Sequence, residues 1–318
     1  MDVITNNTFS KEILDGLSQC PKTLPSKYFY DEIGDKLFQD IMAMPEYYLT
    51  RAELEILEKF KANIIKNANP NNNGFDLLEL GAGDGMKTKI LLKELLNKNV
   101  NFTYKPLDIS LNALTLLKDD LQSEMQGLPV ELIHGDYFDS LKKLKQDKER
   151  QKLILFLGSN IGNLTVEQAT RFLSHLSENL NPGDGMLVGF DLKKDPRIIL
   201  SAYDDAAGVT EAFNKNLLRR INNELGANFD LNAFGHHPFY NPETGTTKSY
   251  LVSTKQQDVY LKKIGKTISF YPWESIHTEI SQKFDHKTIE QMAKDANLEI
   301  KEAYTDSKRY YSNYLFNV

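Results

Sequence analysis

Phe75-Asp76-Leu77-Leu78-Glu79-Leu80-Gly81-Ala82-Gly83-Asp84-Gly85 is the stretch on which the reading of this chain turns. Its first six residues read as a short buried strand, and the rest as a turn holding three glycines. Met86-Lys87-Thr88-Lys89-Ile90-Leu91-Leu92 follows with helical spacing. A strand that stops at glycines and restarts as a helix makes a nucleotide-cradling corner. Glycine lets backbone approach a ligand, and the helix N-terminus offers free N–H groups. The glycines run G-x-G-x-G at Gly81, Gly83 and Gly85. The dinucleotide fingerprint needs G-x-G-x-x-G, and Met86 stands where its third glycine belongs. On this stretch alone, a tight turn with no ligand is the alternative.

Downstream the pattern repeats. Asn101 to Leu107 reads as a second strand ending at Asp108, and Ser110 opens a helix. An acidic residue at the end of the second strand is placed to accept hydrogen bonds from ribose hydroxyls. A helix-capping aspartate is the plainer alternative. Val130 to His134 is a third strand, followed by Gly135-Asp136-Tyr137-Phe138. Asp136 and Tyr137 together suit a purine base, a carboxylate for its amine and a ring for its face. Leu153 to Leu157 is a continuous apolar run, as a strand buried on both faces requires. It ends in Gly158-Ser159-Asn160-Ile161-Gly162-Asn163, which points to a ligand contact at a strand's carboxyl end. Thr165 caps the next helix. Met186 to Phe190 is a fifth strand, ending at Asp191.

Five such units predict a doubly wound parallel sheet. Strands return at the end, Leu298 to Tyr304 and Tyr311 to Phe316, as a hairpin around a polar turn. Five parallel strands closed by a hairpin is the layout of S-adenosylmethionine-dependent methyltransferases. From Asp191 to about Lys287 lies an insertion the size of a small domain. It starts with a helix through Tyr203-Asp204-Asp205, continues with a helix from Val209 to about Leu225, and then offers short strand-like segments up to Thr278–Phe284.

Upstream, residues 8–20 carry a helical pattern that Pro21 to Pro25 breaks. Lys27-Tyr28-Phe29-Tyr30-Asp31 and Pro45-Glu46-Tyr47-Tyr48-Leu49-Thr50-Arg51 are aromatic turns flanking a helix face of Leu37, Phe38, Ile41 and Met42. These aromatics suit either a lid packed on the core or a pocket wall with phenol handles. Thr50 looks like the N-cap of a helix from Arg51 to about Ile65, with Glu53 in the capping-box position. Ala68 to Gly74 reads as a polar linker into the sheet. The insertion is expected to pack with the aromatic segment and roof the cofactor site.

Composition narrows the classes. The chain has 318 residues, 41% hydrophobic and 26% charged, with a formal net charge of -6. That is ordinary for a globular protein and argues against a nucleic-acid surface. The basic run Lys142-Lys143-Leu144-Lys145, followed by Asp147 and Glu149, reads as a solvated helix face. Cys20 is the only cysteine, so neither an intrachain disulfide nor a cysteine-cluster metal site is expected. His236-His237 and His277 lack a carboxylate at ligand spacing, and no metal is expected. Met1 to Asn7 carries no signal-peptide pattern and no run is long enough for a bilayer, so the cytoplasm is expected.

Several segments together resemble one family. They are Leu24-Pro25-Ser26-Lys27-Tyr28-Phe29-Tyr30-Asp31, Pro45-Glu46-Tyr47-Tyr48-Leu49-Thr50-Arg51-Ala52-Glu53, Glu79-Leu80-Gly81-Ala82-Gly83, and Leu157-Gly158-Ser159-Asn160-Ile161-Gly162-Asn163. Further on come Ala202-Tyr203-Asp204-Asp205-Ala206-Ala207-Gly208-Val209-Thr210 and Thr278-Glu279-Ile280-Ser281-Gln282-Lys283-Phe284. From about residue 24 to its end the chain resembles the histidine N-alpha-methyltransferases of ergothioneine biosynthesis, the EgtD-like family. The resemblance implies an α/β class I methyltransferase fold, Rossmann-like and doubly wound with a C-terminal antiparallel hairpin, plus a smaller α+β substrate-binding domain. Residues 1–55 with 194–285 would form the substrate-binding domain. Residues 56–193 with 286–318 would form the S-adenosylmethionine-binding core.

The implied reaction passes up to three methyl groups from S-adenosylmethionine to the alpha-amine of L-histidine, giving hercynine and leaving S-adenosyl-L-homocysteine. On the cofactor side, Gly81, Gly83 and Lys87 would lie against the methionine end, Asp108 against the ribose, and Asp136 with Tyr137 against the adenine. Asn163 and Tyr203 would hold the amino-acid head group near Gly158, and are the implied catalytic residues. Tyr47, Glu279 and Ser281 would grip the imidazole, with Tyr30 lining the same cavity. A carboxylate and a hydroxyl together can pair with both imidazole nitrogens, one a donor and one an acceptor. The partner expected is free L-histidine, with no nucleic acid and no membrane, and the chain is expected to be a monomer.

The chain departs from the family at Thr246-Thr247-Lys248-Ser249-Tyr250, where a methionine is expected near Ser249 beside the side-chain pocket. It departs again at Tyr304-Thr305-Asp306-Ser307, in place of a tryptophan-rich segment. The rival readings are the same reaction on another aromatic amino acid or amine, a non-catalytic binding module, and a nicotinamide oxidoreductase. Glu279 and Ser281 disfavour the first, since an indole or phenyl ring would leave both unpaired.

Overall fold

The computed structural model describes residues 2–68, 74–146 and 150–318, with side chains at 2–7 and 144 left aside. Most of the expected 68–74 linker, and Asp147 and Glu149 of the charged run, lie outside the described residues. The chain divides into two compact units. The first comprises Met1–Tyr48 and Lys194–Ser281, and the second Leu49–Lys193 and Gln282–Val318. Leu49–Glu55 and Gln282–Asp285, placed by the sequence reading with the insertion, thus belong to the second unit.

The second unit is built on a seven-stranded sheet. Its strands are β1 (Phe75–Leu80), β2 (Phe102–Asp108), β3 (Ile133–His134), β4 (Gln151–Phe156), β5 (Gly185–Asp191), β6 (Glu299–Thr305) and β7 (Tyr311–Asn317). Their order is β6-β7-β5-β4-β1-β2-β3. β1 to β5 run parallel, and β7 pairs antiparallel with both β5 and β6. This is the class I methyltransferase layout. Every residue of β1 and β5 is buried, because helices cover both faces. One layer of the core joins Leu78, Ile154, Val188 and Phe316 of the sheet to Leu173, Leu176 and Ile289 of two helices. The strand order reverses between β1 and β4, so their carboxyl ends open the crevice where α/β sheets hold ligands. Gly81 and Gly158 stand at those two ends.

Local chemistry explains most boundaries. Ser110 accepts from the Ala113 N–H at the start of the helix Leu111–Glu124, and Thr165 with Gln168 forms a complete capping box for Val166–Glu178. Two expectations fail. The third strand shrinks to Ile133–His134, with Val130 making only an isolated bridge to Tyr104. It is an edge strand with one neighbour, so nothing extends it. The Thr50 cap is also absent, because the helix runs Tyr48–Ala68 and encloses Thr50. Glu53 is therefore one turn inside the helix, fully buried, and serves another purpose.

The first unit has a four-stranded sheet in the order Lys22–Thr23, Ser275–Gln282, Thr246–Ser253, Phe234–Asn241. A separate antiparallel hairpin pairs Gln257–Leu261 with Lys266–Phe270. The helix Val209–Leu225 lays Phe213, Leu217, Leu218 and Ile221 into a core shared with Phe9, Ile13, Phe29, Ile41 and Leu251. The N-terminal helix and the aromatic turns thus pack with the insertion. The helix expected through Tyr203 is shorter, Pro196–Ser201, with Asp195 as its cap. The strand Phe234–Asn241 carries both adjacent histidines. Among the described residues no helix is long and apolar enough to cross a membrane.

Candidate functional site

In the second unit the crevice is made first by backbone. Gly81, Gly83 and Gly85 all have positive φ, at 72°, 54° and 65°, a region that side chains other than glycine enter at a cost. A Cβ on Gly81 would lie 2.9 Å from the Tyr137 hydroxyl, while one on Gly83 would meet no described atom within 4 Å. The turn is closed toward the protein and open on its other side, which is the shape a ligand cradle needs. Gly158 is also left-handed, at φ 78°, and a Cβ there would lie 3.4 Å from the Lys87 ammonium.

Around that turn the carboxylates take up position. Asp108 ends β2, and its Oδ1 accepts from the Ser110 N–H at 2.8 Å. Asp136 caps the helix Tyr137–Leu144, its Oδ1 accepting from the N–H groups of Phe138 and Asp139. Asp108 thus closes a turn while Ser110, not Asp108, caps the helix that follows, and Asp136 is itself a helix cap, each through its Oδ1. Tyr137 is half-buried between them. Burial first, and then the charges of Asp108, Asp136 and Glu79, push its hydroxyl up to about 12, so it is neutral and can donate. Beneath the turn Glu79 is buried, accepting from the hydroxyls of Thr88 and Tyr104. Burial pushes its carboxyl up to about 7 despite those bonds.

Glu53 is the residue that the sequence reading misplaced. Its Oε2 lies 2.7 Å from Lys87 Nζ and accepts from the Gly158 N–H at 2.8 Å, while its Oε1 accepts from the Tyr311 hydroxyl at 3.1 Å. The helix Tyr48–Ala68 carries it there, and β5 makes room with Gly189, where a Cβ would fall 2.3 Å from Oε1. No periodicity announces this. The one sequence signal was a glutamate within the Pro45–Glu53 segment. Asn163 closes the short 3-10 turn Asn160–Asn163 after Gly158, with its side chain exposed.

In the first unit, side chains do the gathering. The Tyr203 hydroxyl donates to Ser281 Oγ at 2.8 Å. The Ser249 hydroxyl donates to Glu279 Oε2 at 3.0 Å. Glu279 and Ser281 lie two residues apart on the strand Ser275–Gln282, although burial stops alternating at Glu279-Ile280. The Tyr203 carbonyl accepts from His236 Nε2 at 2.8 Å, and the other ring nitrogen accepts from Asn214 at 2.8 Å. A carbonyl only accepts, so Nε2 carries a hydrogen, and the ring acts as a brace. Tyr30 packs edge-on against Phe38 and Phe213, and Phe38 meets Tyr47 in the same manner. Burial, then the Glu279 carboxylate, raise the Tyr30 hydroxyl above its ordinary range, although 43% of the residue remains exposed. Tyr30, Tyr203, Glu279 and Ser281 therefore form one cluster, and Tyr47 joins it through Phe38.

Several known proteins are similar to this chain over most of its length. Histidine N-alpha-methyltransferase of Mycolicibacterium smegmatis is 37% identical over 296 residues, 93% of this chain and 90% of that protein. Ergothioneine biosynthesis protein 1 of Schizosaccharomyces pombe is 30% identical over 96% of this chain and 40% of its own length. L-tryptophan methyltransferase of Psilocybe serbica is 29% identical over 94% of this chain and 90% of its own. The profile of histidine-specific, S-adenosylmethionine-dependent methyltransferases matches residues 9–318. With that match over nearly the whole chain, joined to the sheet order and the glycine corner, the chain belongs to the S-adenosylmethionine-dependent, histidine-specific methyltransferase family.

Proposed function

We propose that this enzyme methylates the alpha-amine of free L-histidine, up to the trimethylated product hercynine, with the second unit binding cofactor and the first binding the substrate side chain. The observation that carries the substrate is the pair Glu279 and Ser281, each held by a hydroxyl partner, Ser249 and Tyr203. A carboxylate and a hydroxyl so held match the donor and acceptor nitrogens of imidazole. A phenyl ring would leave both unpaired, and an indole, with its single donor, would leave one, rather than both as the sequence reading has it. Tyr30 and Tyr47 supply aromatic walls beside them.

On the cofactor side, Gly81 and Gly83 give the open cradle, and Lys87 supplies a cation for the anionic amino-acid end. Asp108 takes the ribose hydroxyls through its remaining oxygen. Asp136 and Tyr137 take the adenine. S-adenosylmethionine, when bound, supplies an electrophilic methyl on a sulfonium. The chain needs no general acid for that chemistry. Its residues hold a neutral amine in line, and exclude water from it. Asn163, Tyr203 and Gly158 are assigned to the head group. A neutral tyrosine and an amide orient an amine without trapping it as a salt, which lets it turn between successive methylations.

Mass spectrometry of the purified chain with S-adenosylmethionine and a panel of free amino acids tests the reading. A gain of up to three methyls on histidine alone is expected. Methylation of tryptophan in preference to histidine would replace the substrate and keep the reaction. Unmodified histidine at saturating cofactor would refute it.

A further inference from the structure

Glu53 is assigned to neither ligand, yet it is a closely bonded carboxylate of the second unit. It is fully buried, and three donors of different origin converge on it: Lys87, the Gly158 N–H and the Tyr311 hydroxyl. Tyr311 in turn accepts from the backbone N–H of Ser159. Gly158 and Ser159 are both in the left-handed region, at φ 78° and 59°. The Gly158 N–H thus meets the Glu53 carboxylate, and the Ser159 N–H meets the hydroxyl bound to it. β5 accommodates the assembly with a glycine in a wholly buried strand, Gly189, where any side chain would strike both Glu53 and Tyr311.

We infer that Glu53 is a positioning residue for cofactor binding, fixing the Lys87 ammonium against the Gly158–Asn163 turn so that it is set before the anionic end of the cofactor arrives. This rests on the reading that Lys87 meets that end. A lysine stem is flexible, and its ordering is otherwise charged to the binding step. Lys87 is 18% exposed, so its far side still opens to solvent and to a ligand while one side is tied to Glu53. The Gly158 N–H ties the turn to the same carboxylate oxygen that holds the Lys87 ammonium.

The experiment is calorimetric titration of the full chain and its Glu53→Gln, Lys87→Met and double variants with two probes. One probe is S-adenosylmethionine, and the other is 5′-methylthioadenosine, which lacks the amino-acid end. Each single substitution should weaken S-adenosylmethionine binding about tenfold, by releasing or removing the ordered ammonium. Methylthioadenosine affinity should not change. The double variant should bind no more weakly than Lys87→Met alone, because Glu53 acts through Lys87. Glu53→Gln binding like the parent while Lys87→Met is weakened, or losses that multiply in the double variant, would overturn the inference alone. Parent-like binding by Lys87→Met would overturn both the inference and the Lys87 reading. Should Glu53→Gln not fold, Tyr311→Phe removes only the hydroxyl that steadies Oε1. About threefold weaker S-adenosylmethionine binding then supports the inference, at one neutral hydrogen bond, and unchanged binding overturns it.

Discussion

The two units build their sites by different means. The corner of the second unit is backbone chemistry: glycines at strand ends, helix caps, and N–H groups left over by a turn. Gly81 to Lys87 are consecutive in sequence, Asp108 ends a parallel strand of the sheet, and Asp136 and Gly158 each follow one. The cluster in the first unit is side-chain chemistry. Glu279 and Ser281 share one strand, Tyr30, Tyr203 and Ser249 come from other segments, and they meet through hydroxyls and a carboxylate. A corner made by backbone has few ways to change and still bind. A cluster made by side chains can exchange its substrate by single substitutions while its fold stays put.

The largest effect expected concerns the fold of the corner. Glu79 ionises near 4.5 when unfolded and at about 7 when folded, because burial outweighs its two hydroxyl donors. Between those values the folded chain keeps a proton that the unfolded chain has lost. Stability from this group is therefore complete below pH 4.5 and is lost as pH rises through 7. At 1.36 kcal/mol per unit the change approaches about 3 kcal/mol. Urea unfolding followed from pH 5 to 7.5 should show that fall, and Glu79→Gln should flatten it. A slope that survives the substitution would place the titrating group elsewhere.

The next two predictions test whether the sites are as separate as their construction suggests. Glu279→Ala removes the carboxylate assigned to the imidazole, a charged bond of about 2 kcal/mol, so histidine affinity should drop some thirtyfold. S-adenosylmethionine affinity should stay within a factor of two. Asp108→Asn keeps the acceptor for the Ser110 N–H and removes the charge offered to ribose. A loss of about 1.4 kcal/mol, tenfold in cofactor affinity, is expected, with methylthioadenosine weakened alongside because it carries the same ribose. If Glu279→Ala weakens cofactor as much as substrate, the division of labour between the two clusters fails.

Legibility followed the same division. Strand–turn–helix alternation gave the sheet, its terminal hairpin and the corner, because hydrophobic period and glycine placement are local signals. Ser110 and Thr165 were readable as caps for the same reason. Glu53 was not, since a glutamate three residues after a threonine fits a capping box, and only the tertiary fold shows Thr50 enclosed in a helix and Glu53 beneath Lys87. The third strand was overdrawn because composition cannot say which strand lies at the sheet's edge. Tyr203, Glu279 and Ser281 came to notice through family resemblance alone. Their shared cluster depends on pairings across the whole insertion, and the brace of His236 and Asn214 behind Tyr203 left no pattern at all.

Ser249 tests the side-chain site at its most changeable point. It stands where the family resemblance led us to expect a methionine, and its hydroxyl donates to the carboxylate assigned to imidazole. A methionine there could only wall the pocket, whereas a serine also sets the angle of Glu279. Ser249→Ala should then weaken histidine two- to fivefold, as loss of a bond worth about 0.5–1 kcal/mol implies. Ser249→Met should restore apolar contact without restoring the bond, and bind histidine no better than Ser249→Ala. The carboxylate would still face the imidazole in both, so neither should approach the loss seen in Glu279→Ala. Parent-like affinity in Ser249→Ala would mean that the strand Ser275–Gln282 alone fixes Glu279. The substrate site would then rest on backbone after all, and the contrast between the two units would be one of location rather than of kind.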